Sequence, residues 1–74
     1  MNAQQKIREI LTETYGDEGR VSAMEIWKGY HESSMRVGWH MRDFGRNDVH
    51  YMGKSVSEVQ LWADDVAEYR KQTA

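Results

Sequence analysis

The run at residues 35–51, MRVGWHMRDFGRNDVHY, constrains the chain more than any other stretch, because it reads as a β-hairpin whose arms check each other. In the first arm Met35, Val37, Trp39 and Met41 alternate with Arg36, Gly38, His40 and Arg42. That is the two-residue period of a strand with one apolar and one cationic face. A loop over 43–47, rich in the Gly, Asn and Asp that turns use, sets Arg42 opposite Asp48 and Met41 opposite Val49. His40 then faces His50, and Trp39 faces Tyr51. Apolar residues meet apolar residues throughout, and a slip of one position would turn each side chain of an arm to the other face. The register predicts Trp39 in the core, against Trp62 and Ile10 or Leu11.

Residues 21–31 carry two conflicting signals. Ser22 followed by Glu25 is a capping box, and Met24, Ile26, Trp27 and Tyr30 would cover a helical face. Against a helix, Gly29 would weaken its interior, and Met24, Ile26 and Tyr30 share one face of a strand. Pairing favours the strand. A tight connection at Ser33 and Ser34 brings Tyr30 opposite Val37 and Ile26 opposite Met41, which extends the apolar face over three strands.

The flanks are helical. Ala3, Ile7, Ile10, Leu11 and Thr14 fall on one side of a 3.6-residue repeat, with Asn2 to cap the start and Gly16 to end it; residues 17–19 read as a turn. Beyond the hairpin, Gly53 and Lys54 turn the chain and Ser55 with Glu58 forms a capping box. A helix then runs to about Lys71, with Val59, Trp62, Ala63, Val66 and Tyr69 on its inner stripe. Leu61 projects about 160° from that stripe, among Asp64, Asp65 and Glu68. The expected fold is therefore α+β, ordered α-β-β-β-α: a three-stranded antiparallel meander with both helices on one face. The alternative order is α-α-β-β-α.

Composition narrows the class. Seventy-four residues make one small domain, 1–74, and eight aromatic side chains are too many for a disordered chain. With no cysteine there is neither a disulfide nor a thiolate metal site. The longest purely apolar run, 61–63, is far too short to span a bilayer, and no signal-peptide pattern opens the chain. These readings predict a cytoplasmic protein with no membrane association. The net charge of −2 hides an asymmetry: residues 20–54 carry six basic against four acidic side chains and all three histidines, whereas each flank is acidic.

The face left uncovered by the helices is the expected working surface. It carries Trp27, His40 and His50 in one row, His31 and Arg36 to one side, and Glu25, Arg42 and Asp48 in a second, largely self-neutralised row. Gly29 and Gly38 sit opposite each other and make a shallow place for close approach. An exposed tryptophan ringed by Arg and His can stack on bases while the cations contact phosphates. The same residue types also anchor protein interfaces. A buried Trp27 with merely solvated charges is the bland alternative. His40 and His50, with His31 or Asp48, fall short of the three or four ligands that zinc takes, so no metal or other cofactor is expected. No Gly-rich phosphate loop, paired carboxylates or free serine nucleophile is evident, so no enzymatic activity is expected. The leading expectation is a nucleic-acid-binding module acting through Trp27, His31, Arg36, His40, Arg42 and His50. The second is a protein-interaction regulator acting through the acidic helix surface of Leu61, Asp64, Asp65 and Glu68.

Residues 35–69 contain GWHMRDFG followed by VHYMGKSVSEVQLWADDVAEY, which resembles the β-β-β-α DNA-binding domains of the plant AP2 type and the arm-binding domains of tyrosine integrases. Gly38, Trp39, Arg42, Tyr51, Gly53 and Glu58 are the matching positions. The resemblance implies a sheet that enters the DNA major groove, with Arg36, His40 and Arg42 on the nucleic acid. The chain departs from that pattern in its shorter link from Gly53 to the helix, its extra N-terminal helix and its acidic balance.

Overall fold

The structure, a computed structural model, describes residues 2–43 and 45–73. Helix α1 (Ala3–Tyr15) starts where the Asn2 side chain accepts the Gln5 amide, while the Gln5 side chain accepts the Asn2 amide in return. It ends at Gly16, whose φ of 69° is the left-handed cap that residues with a Cβ avoid. The turn expected at 17–19 is a one-turn helix instead, α2 (Glu18–Ser22), capped by Asp17 accepting the Arg20 amide. Arg8 ties it to α1 by donating to the carbonyls of Val21 and Met24.

Three strands follow, β1 (Glu25–His31), β2 (Arg36–Arg42) and β3 (Val49–Gly53), in the antiparallel order β1-β2-β3, and α3 (Val56–Thr73) closes the fold. The expected α-β-β-β-α order is thus observed, and the strand at residues 25–31 decides the ambiguity of that segment. Ser55 accepts the Glu58 amide at the start of α3, and the Glu58 carboxylate accepts the Lys54 amide. One sheet face meets the helices through a core of Ile7, Leu11, Val21, Met24, Ile26, Met41, Met52 and Val59. Ile10, Trp39 and Trp62 pack against that core, half-buried.

Pairing of β1 with β2 follows the expected register without a break, from Glu25 opposite Arg42 to His31 opposite Arg36. Pairing of β2 with β3 does not. Arg42 faces Val49, Met41 faces His50 and His40 faces Tyr51, one position away from the register read from the sequence. Trp39 then faces Gly53, so Met52 is an extra residue bulged out of the ladder. The bulge drives Met52 into the core, where it is 2% exposed, and lays Tyr51 on the helix-free face.

The apolar face also extends further than its cover. Tyr30 and Val37 face each other on the helix side, yet both are exposed, because the far end of the β1–β2 hairpin projects past the helical layer. Met35 is not a strand residue. It closes a four-residue connection, donating its amide to the His31 carbonyl with a φ of 56°, and it is exposed. Tyr69, expected on the inner stripe of α3, is likewise exposed, since the last turns of α3 run beyond the core.

Candidate binding face

The helix-free side of the sheet carries Glu25, Trp27, Gly29 and His31 from β1, and Arg36, Gly38, His40 and Arg42 from β2, by strict alternation from the observed pairs. From β3 it carries Val49 and Tyr51. Their rings form one array around His40. The Trp27 indole stacks on the His40 imidazole at 5.7 Å and 14° between planes, and the Tyr51 ring meets His40 edge-on at 5.3 Å. His31 tilts against both, 5.9 Å from Trp27 and from His40. Arg36 completes the array with its guanidinium 5.3 Å from the Tyr51 centroid, a cation–π contact.

At the centre of this array His40 is fully buried, although no helix covers this side. A buried imidazole needs partners at both nitrogens, and it has them. Nδ1 faces the Gly38 carbonyl at 3.0 Å, so Nδ1 carries the proton and donates. Nε2 is 2.7 Å from the Ser34 hydroxyl, which also lies 3.2 Å from the His31 carbonyl and accepts the Arg36 amide. The connection at residues 32–35 is thereby fastened to the sheet from above. His31 does the same at its own end: its Nδ1 accepts the Ser33 amide and lies 2.8 Å from the Ser33 hydroxyl.

Gly38 decides where Tyr51 lies. A Cβ there would sit 2.8 Å from Tyr51 Cε1 and 2.7 Å from the Gly53 carbonyl oxygen, so only glycine lets the phenol lie flat across β2. The shallow place expected over Gly29 and Gly38 is therefore filled on one side by Tyr51, while Gly29 has nothing above it.

The expected site residues divide accordingly. Trp27, His31, Arg36 and Arg42 lie on the helix-free face as read from the sequence. Trp27 is half-buried, stacked on His40 and tilted against His31. Arg42 pairs with its cross-strand neighbour Glu25, which neutralises it locally. Two assignments are corrected. His40 is the fully buried floor of the array and not an exposed side chain, because Trp27, His31 and Tyr51 enclose it. His50 faces Met41 on the helix side, beside a cleft lined by Tyr15, Arg20 and Asp43, so the paired histidines expected across the hairpin do not form. Tyr51 takes the place given to His50, and the sequence missed it.

At that cleft, cation–π contacts and an ion pair join Tyr15, Arg20, Arg70 and Asp43. Tyr15 lies between Arg20 and Arg70, with guanidinium carbons 4.7 and 5.1 Å from its centroid, and Arg20 binds Asp43 at 2.6 Å. Burial pushes the Tyr15 phenol above its ordinary range, against the opposing pull of the two arginines. On α3, Leu61 is 65% exposed, with Asp64, Asp65 and Glu68 exposed around it. Among the described residues no helix is long and apolar enough to cross a membrane.

Comparisons with protein-family models, with curated proteins and with solved structures gave no match.

Proposed function

We propose that this chain is a non-enzymatic binding module whose helix-free sheet face takes nucleic acid, in single-stranded or unstacked form. The observation that carries the reading is the ring array with its flanking cation. Trp27 and Tyr51 are held half-buried on one face by the His40 floor, and Arg36 stands beside them. Rings fixed in this way lose little conformational freedom when a base stacks on them, and each such stack is worth about 1–3 kcal/mol. Arg36 is the phosphate contact, since Arg42 is committed to Glu25. The resemblance to sheet-face DNA-binding domains points to the same face, with His40 acting through the rings it supports rather than on the ligand. Both serines that touch histidines are engaged in holding the hairpin connection, which supports a binding role over a nucleophilic one.

The test is a titration with a generic single-stranded oligonucleotide at two salt concentrations. Affinity should fall with salt, and Arg36→Ala should flatten the dependence by about one phosphate contact, a slope change near 0.7 for single strands. Trp27→Ala should weaken binding with little change in slope. A second reading, a protein-interaction regulator, is favoured by Leu61, an exposed leucine ringed by carboxylates. Loss of a protein complex in Leu61→Ala, together with no affinity of the unmutated chain for DNA or RNA, would select it.

A further inference from the structure

Strand β1 is a sheet edge, and its outer side is open over half its length. The Ile26 carbonyl accepts from the Gln4 side chain at 2.8 Å, so it points away from β2. The two-residue repeat of the ladder then turns the amide and carbonyl groups of Lys28 and Tyr30 outward as well. Such an edge is ordinarily blunted by proline, by charge such as lysine, by a bulge or by a covering segment, and here Lys28 is the one charge in the open stretch 28–30. The chain has no proline, β1 pairs with β2 through seven residues without a bulge, and Gln4 covers only the Ile26 end. The other edge, β3, is shorter and carries the Met52 bulge beside it. Next to the open edge lie Tyr30 at 60%, Val37 at 60% and Met35 at 77% exposure, all apolar and adjoining. Exposed apolar side chains beside an unpaired strand are the elements that strand pairing between molecules uses.

We infer that the occupant is a second copy of this chain, added antiparallel through β1 so that Gly29 meets Gly29 on a two-fold axis. In this register Lys28 of each copy lies opposite Tyr30 of the other, and Trp27 lies opposite the second copy's His31. Each lysine stem covers an exposed tyrosine ring, with its ammonium within reach of the second copy's Glu32, an exposed residue of the connection that follows β1. No like charges meet directly. The axis passes where no side chain stands, since Gly29 has nothing within 4 Å of a Cβ position. Outward groups of Lys28 and Tyr30 bond in pairs across the axis, and the Gln4 contact at Ile26 is left intact. The contact is isologous, so it closes as a dimer and makes one six-stranded sheet from two of three strands. The ring arrays of the two copies then run on as one surface across the axis. The proposal does not depend on what that surface binds.

Sedimentation equilibrium from micromolar to millimolar concentration, with two charge variants, tests it. The unmutated chain should reach twice the monomer mass as concentration rises. Tyr30→Lys, which sets two cations directly opposite each other on both sides of the axis, should remain monomeric. Lys28→Glu combined with Tyr30→Lys places opposite charges in the same positions and should restore the dimer. Both side chains are exposed, so the fold should tolerate each change, and a cooperative melt of the monomeric variant rules out unfolding as the cause. Amide exchange at Lys28 and Tyr30 should slow with concentration in the unmutated chain. A chain that stays monomeric throughout overturns the proposal. So does a dimer indifferent to Tyr30→Lys, or one that the double exchange fails to restore.

Discussion

Gly29 and Gly38 offer an internally controlled test of how the ring array is built. They are cross-strand partners with φ of 157° and 159°, so alanine meets the same unfavourable backbone conformation at either position. Their surroundings differ completely. A Cβ on Gly29 touches nothing within 4 Å, whereas one on Gly38 would lie 2.7 Å from the Gly53 carbonyl and 2.8 Å from Tyr51 Cε1. The carbonyl belongs to the β2–β3 ladder, so relieving its clash opens the ladder locally, and the Tyr51 ring must in addition swing away and uncover His40. Overpacking of this kind costs about 1–3 kcal/mol. Gly38→Ala should therefore melt below Gly29→Ala, by about 4–8 °C for each kcal/mol in a domain of this size. Circular dichroism melts of the two variants give the difference, and the Tyr51 ring resonances should shift in Gly38→Ala alone. Equal melting points, or a Gly29→Ala that is the less stable, would falsify the placement of Tyr51 across β2.

Three further outcomes follow from the same contacts. Ser34→Ala leaves the buried His40 Nε2 and the Arg36 amide without their shared partner and should cost about 1–3 kcal/mol in a urea titration; an unchanged midpoint would show that the hydroxyl does not hold the connection. Met35→Gly should raise the melting temperature slightly, because relief of about 1–2 kcal/mol of left-handed strain outweighs the roughly 0.5–1 kcal/mol entropic cost of glycine at an exposed site; a lower melting temperature would contradict it. Tyr15, an acid raised by burial, keeps its proton in the folded chain at a pH where the unfolded chain has lost it, so its stabilising effect is complete below about pH 10 and disappears as pH climbs through the raised value. Tyr15→Phe should remove that part of the alkaline loss, visible in melts on either side of pH 10.

Where several local signals agreed, the sequence was a good guide. Ile26 with Met41, Gly29 with Gly38 and Glu25 with Arg42 all favoured one β1–β2 register, and that register is observed. The caps at Asn2 and Gly16 and the Ser55–Glu58 start of α3 were equally readable, because capping chemistry is local. The β2–β3 register was not readable. Val49 with Tyr51 and His50 with Met52 offer competing apolar faces, and only the space under α1 and α3 favours burying Met52. Alternation likewise marks which way Tyr30 and Val37 point without telling whether a helix reaches them. One signal for Tyr51 was present: a glycine in mid-strand at Gly38 implies a close approach, and the approaching group is a side chain of the chain itself.

The most direct measurement of the central claim follows the three indole N–H resonances, together with the backbone amides, during titration with a single-stranded oligonucleotide. Trp27 belongs to the ring array, while Trp39 and Trp62 pack against the core on the helix side, so the indoles report the two sides of the sheet separately. Binding at the proposed face should move Trp27 with His31, Arg36 and Tyr51, in a manner that weakens with salt, and leave Trp39, Trp62 and Leu61 in place. Shifts confined to Trp62 and Leu61, or none at low salt, would contradict it.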